Sequence, residues 1–226
     1  MRFGVLRIRT VLGANVTGFI LVTALFAMFL MLTLYAQQVL GYSAMRTGVA
    51  YLATAGTAIL WSGVAAQLVN RVGVKPVLVA GMSFVAAGLL WFTQVSVGGS
   101  YLVDLLPGFL LIGLGLGFSF VPISIAALAG VRAEEQGLAS GLINTSQQIG
   151  GALGIAALAA IANRTTTNAV AAGEPVPQAL VDGFHAAFWG GAIVAVVGVA
   201  AAVALIRREE LEPEHAPEAV PVPVSS

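Results

Sequence analysis

Charges are spaced along this chain at long, regular intervals, and that spacing constrains the fold more than any other feature. Uncharged intervals run over 10–45, 47–70, 76–103, 105–131, 136–163 and 183–206. Each exceeds the roughly 20 residues that a helix needs to cross about 30 Å of hydrocarbon. Lipid offers a bare peptide group no hydrogen-bond partner, so each interval must satisfy its backbone internally, as a helix. The alternation of a membrane β-barrel is missing, because runs such as Ala192–Ile206 are continuously apolar. The reading is an all-α membrane protein with six transmembrane helices, at about 13–36, 45–68, 76–96, 102–126, 137–161 and 184–206.

Composition excludes the competing classes. Only 9% of the 226 residues are charged and 58% are hydrophobic, with a mean hydropathy of +0.95. A soluble domain carries about 25% charged residues, so a soluble enzyme, a disordered chain and a nucleic-acid binder are all ruled out. There is no cysteine and there are two histidines, which removes thiolate and histidine-rich metal sites. No cofactor is expected.

Three regions follow. Residues 1–10, with Arg2, Arg7 and Arg9, form a basic juxtamembrane segment; 11–206 form the helix bundle; 207–226, rich in glutamate and proline, read as a disordered cytoplasmic tail. With the N-terminus inside, eight of the ten cations (Arg2, Arg7, Arg9, Arg71, Lys75, Arg132, Arg207 and Arg208) are cytoplasmic, and only Arg46 and Arg164 fall outside. The positive-inside rule therefore puts both termini in the cytoplasm, in a cell (inner) membrane. Residues 162–182 read as one long external loop, in which Asn163-Arg164-Thr165 is a weak glycosylation sequon.

Polarity separates the helices. Helices 3 and 6 are almost wholly apolar and are expected at the lipid-facing periphery. On helix 5, Ser140, Gln147, Gln148, Gly137, Gly141 and Gly151 all fall within about 60° of Asn144 at 100° per residue. Buried amides without partners are costly, so this face must meet protein, water or substrate. Packing through Gly137, Gly141 and Gly151 and a cavity wall at Asn144 and Gln148 both remain open. Helix 1 ends in Gln37 and Gln38, and helix 2 offers Tyr51, Thr54 and Thr57 at i, i+3 and i+6. Gly113, Gly115 and Gly117 in helix 4 lack the flanking strand and lysine of a phosphate loop, and read as a close-packing device. Asp104 reads as a helix cap. Ser140 and His185, a faint serine–histidine pair, lie near opposite ends of their spans, too far apart to react.

Between helices 2 and 3, Ala66-Gln67-Leu68-Val69-Asn70-Arg71-Val72-Gly73-Val74-Lys75 resembles the loop pattern G-x-x-x-D-R-x-G-R-R/K of the major facilitator superfamily. Arg71, Gly73 and Lys75 match; Ala66, Asn70 and Val74 depart, and Asn70 in place of aspartate weakens any charge-dependent gating latch. Leu34–Ser43, Leu105-Leu106-Pro107-Gly108 running into Gly113–Gly117, and Glu135–Gly151 are similar to the last six spans of fourteen-span drug:proton antiporters of the EmrB/QacA type. The resemblance implies a half-bundle of two inverted three-helix repeats, with first, second, fourth and fifth helices lining a cavity. It implies efflux of a small amphipathic molecule, coupled to protons and working with an N-terminal transporter half. Gln38, Tyr51, Thr54, Ser140, Asn144, Gln147 and Gln148 are the cavity candidates. The competing expectation is an inactive or partner-dependent membrane module that assembles through glycine-rich faces.

Overall fold

The computed structural model describes residues 9–206. The readings made for residues 1–8 and for the 207–226 tail lie outside the described residues. Six helices are long and apolar enough to cross a membrane: α1 (Arg9–Val39), α2 (Ala44–Val72), α3 (Val74–Phe92), α4 (Tyr101–Leu128), α5 (Gln136–Ala171) and α6 (Val176–Leu205). Helix α1 ends, and α4 begins, with one π-helical turn, at Tyr35–Val39 and Tyr101–Leu105.

Local chemistry sets the boundaries. The Ser43 hydroxyl accepts from the Arg46 N–H and caps the start of α2. Gly73 alone separates α2 from α3, at φ +88°, in the region that favours glycine. Pro175 and Pro177 open α6, where their missing N–H groups cost nothing.

The helices interleave. Helix α1 packs most extensively on α5 and α6, and α4 on α3 and α2; α3 also packs on α6. Each three-helix repeat therefore gives its first helix to the second and third helices of the other repeat. An odd number of spans per repeat inverts one against the other, which is the expected architecture. The first and last turns meet: a Cβ on Gly13 would stand 2.9 Å from the Leu205 Cβ. Residues 9 and 206 thus lie at the same end of the bundle.

Without a hydrophobic drive between helices in lipid, close approach must come from small residues. Gly113 and Gly117 of α4 sit against α2: a Cβ on Gly113 would stand 2.6 Å from the Thr57 Cβ, and one on Gly117 would stand 3.0 Å from the Ala58 carbonyl. Gly154 of α5 rests on the carbonyl of Thr23, and Gly151 on the Phe26 ring.

Two expectations need correction. The long external loop is mostly helix: α5 continues unbroken to Ala171, and only Ala172–Pro175 separate it from α6. Hydroxyls that suggested a loop bond back along the helix, as Thr165 Oγ1 does to the Ile161 carbonyl at 3.0 Å. At 36 residues, α5 is about 54 Å long, so one end projects well beyond the hydrocarbon. Nor is α3 peripheral within this bundle. Half of its most apolar window is buried (50%), against 17% for α2 and 28% for α5. The more exposed helices of the isolated bundle are α2, α5 and α6 (33%), and α6 lays bare Trp189, Ile193, Val196 and Val197 as an apolar helix at the periphery would.

Candidate functional site

Helix α5 runs alongside α1 in the same direction, and polar links mark the register. Ser146 Oγ donates to Asn15 Oδ1 at 3.2 Å, while Asn15 Nδ2 donates to the Val11 carbonyl at 2.9 Å. The Thr23 hydroxyl lies 2.8 Å from the Phe19 carbonyl and 3.0 Å from the Gly150 carbonyl. The face of α5 against α1 is therefore Ile143, Gln147, Gly150 and Gly154, turned roughly 60–120° from Asn144 at 100° per residue.

That geometry splits the predicted stripe. Ser140, Asn144 and Gln148 are exposed, on the flank of α5 that leaves α1. Gln147 is half-buried, its Nε2 close beside Gly18. Gly151 packs, but Gly137 and Gly141 do not: a Cβ on either would meet no described atom within 4 Å. They leave the amide flank open rather than closing it against a neighbour. Next to that flank the ring of Phe26 is 43% exposed on α1. Across the bundle, Ala58, Ile59 and Ser62 of α2 and Leu116, Gly117 and Phe120 of α4 line a groove of about 290 Å³.

The other candidates lie elsewhere. Gln38 is exposed at the far end of α1, over a recess of about 280 Å³ shared with Asn163 and Thr166 of α5 and Phe184 of α6. Asn144 and Thr166 are 22 positions apart, so Gln38 stands roughly 33 Å along the axis from Asn144. Tyr51 is half-buried and committed to α1: its hydroxyl donates to the Phe29 carbonyl at 2.9 Å and lies 3.0 Å from Thr33 Oγ1. Thr54 is 3% exposed behind α2, against α4, with no hydrogen-bond partner for its hydroxyl among the described residues. The expected loop is a junction of one residue, Gly73: Asn70 and Arg71 are exposed in the last turn of α2, and Lys75 is half-buried in the first turn of α3. Ser146 is the residue sequence reasoning missed; two positions from Asn144, it falls on the far side of a helical wheel.

Two expected results follow. Tyr51→Phe should cost about 1 kcal/mol, a typical interhelical hydrogen bond in a membrane, read as a lower unfolding midpoint in detergent. Thr54→Val, an isostere without the orphan hydroxyl, should be neutral or raise that midpoint.

The described carboxylates lie at or within two turns of the helix ends. The Asp104 carboxylate accepts from the Ser100 N–H at 2.7 Å and caps the start of α4. His185 Nε2 lies 2.6 Å from the Val95 carbonyl, at the opposite end of the bundle from Ser140. In the α5–α6 turn, a hydrogen bond with Asp182 raises the Glu174 carboxyl above its ordinary 4.5, while Gln178 Nε2 donates to Asp182 Oδ1 at 3.1 Å. A carboxyl-carbon NMR titration should therefore find the Glu174 midpoint above 4.5, and Asp182→Asn should bring it down.

Interleaved inverted repeats with an amide flank left uncovered are the architecture of a secondary-transporter fold. The chain belongs to the Major Facilitator Superfamily, whose profile matches residues 2–155. It is similar to "Puromycin resistance protein pur8" of Streptomyces alboniger, 39% identical over 162 residues, covering 70% of this chain and 32% of that protein. It is also similar to a "Multidrug resistance protein B homolog" of Mycobacterium tuberculosis, at 34% over 154 residues (68% and 28%). A third relative, "Cephamycin export protein CmcT" of Amycolatopsis lactamdurans, is 33% identical over 141 residues (62% and 29%). The matched stretch spans a third or less of each of these proteins.

Proposed function

We propose that the chain is the C-terminal half of a proton-driven multidrug efflux antiporter of the cell (inner) membrane, working by alternating access with both termini cytoplasmic. The observation that carries this reading is the exposed flank of Ser140, Asn144 and Gln148 beside the Phe26 ring. Amides and an aromatic ring on one open face suit amphipathic molecules chosen by shape more than by one fixed contact. The names of the relatives, resistance to puromycin and to multiple drugs, support the substrate class. The described carboxylates sit near helix ends, so proton coupling falls to an N-terminal half. Asn70, Arg71, Gly73 and Lys75, at the α2–α3 junction, are the gating motif.

A second reading is favoured by how little of α2 is buried (17%): a non-transporting membrane module that assembles through its open, glycine-rich faces. Reconstitution separates the two. The chain goes into liposomes with an imposed pH gradient, alone and with the N-terminal half of a full-length relative, and ethidium efflux is followed. Gradient-driven efflux with the added half supports transport; no efflux in either preparation supports the module.

A further inference from the structure

At the end of the bundle away from residues 9 and 206, Tyr42, Arg46, Val49, Ala50 and Tyr101 line an open pocket of about 220 Å³. An adjoining one of about 430 Å³ shares Tyr42, Arg46 and Tyr101 and reaches Ser100 and Leu102. The walls are fixed: the Tyr101 hydroxyl donates to the Ala50 carbonyl at 3.2 Å, and the Arg46 guanidinium lies 3.8 Å over the Tyr42 ring. Among the described residues the one ion pair is Arg132 with Glu134, so no carboxylate neutralises Arg46. Asp104, the acid near this pocket, is turned to the Ser100 N–H. Beside the pocket four apolar side chains are laid bare: Val49 is 57% exposed, Leu52 64%, Leu102 69% and Val103 67%.

We propose that this pocket binds the phosphodiester of an anionic phospholipid, with its acyl chains on Val49, Leu52, Leu102 and Val103. A guanidinium fork matches two phosphate oxygens, and stacking on a ring leaves its N–H groups free for them. Tyrosine belongs at the boundary where headgroups sit, on either side of a membrane. A soluble anion would leave the apolar ridge uncovered, and a zwitterionic headgroup would bring a second cation to Arg46. The site is independent of the transport reading, since it needs only that the bundle sits in a bilayer.

The probe is dioctanoyl phosphatidylglycerol, titrated onto the detergent-purified chain and read by native mass spectrometry and by the unfolding midpoint. Dioctanoyl phosphatidylcholine and glycerol 3-phosphate serve as comparison ligands. Arg46→Gln should weaken phosphatidylglycerol binding by about tenfold or more, with an unchanged midpoint in the absence of lipid. Arg164→Gln, the other cation at this end, should bind as the wild type does. Undiminished binding by Arg46→Gln, an equal loss in Arg164→Gln, or equal affinity for phosphatidylcholine would overturn the proposal. Equally tight binding of glycerol 3-phosphate would overturn the lipid and leave a soluble-phosphate site.

Discussion

Gly154→Val should all but abolish the folded bundle, whereas Gly141→Ala, thirteen positions earlier on the same helix, should leave it intact or firmer. The Gly154 position faces the main chain of Thr23, with its carbonyl, Cα and carbonyl carbon all within contact. Backbone cannot swing away as a side chain can, so α5 must move off α1 as a unit. That movement breaks the Thr23–Gly150 and Asn15–Ser146 bonds together. Overpacking a core costs about 1–3 kcal/mol even where side chains can yield; with a fixed neighbour and two bonds lost, the expected cost is at least about 3 kcal/mol. Gly141 meets nothing within 4 Å, so alanine there adds helix propensity, up to about 1 kcal/mol. Unfolding in mixed micelles, followed by circular dichroism, reads both. Equal destabilisation would mean that α5 is rotated from the orientation described.

The contrast shows where sequence reasoning stops. Spans can be read because a charge in hydrocarbon is costly, so Arg46, Arg71, Asp104 and Arg132 are forced to helix ends. The polarity of α5 can be read from its periodicity. What periodicity does not contain is the position of α1. Gly137, Gly141 and Gly151 look alike on a wheel, yet only Gly151 meets a neighbour, the Phe26 ring. Tyr51 and Thr54 share a face in sequence, but α1 claims the Tyr51 hydroxyl and α4 covers Thr54. The end of α5 escapes the sequence for a different reason. Beyond the hydrocarbon the rule against polar residues lapses, so Asn163–Thr167 look like a loop while remaining helix in water.

Asn144→Leu should reduce gradient-driven efflux by roughly tenfold, about the value of one well-placed hydrogen bond, while leaving the bundle folded. The two halves of that expectation come from the same geometry. Asn144 is exposed and its side chain bonds to none of the described residues, so removing its amide breaks no bond within the bundle. Leucine is a better helix former and costs the fold nothing. The amide is also one of the few polar groups on the open face, so a substrate or a facing helix that bonds to it loses a partner. Gln148→Leu, one turn on, should act in the same direction, and the double variant should lose more than either alone. Gln38→Leu provides the comparison, because Gln38 lies over a separate recess roughly 33 Å away along the axis. The assay is ethidium efflux from proteoliposomes that hold the chain with an N-terminal half, with the unfolding midpoint measured on the same preparations. Unchanged efflux in Asn144→Leu and Gln148→Leu would remove the amide flank from the transport path. A loss confined to Gln38→Leu would move the path to the far end, between α1, α5 and α6.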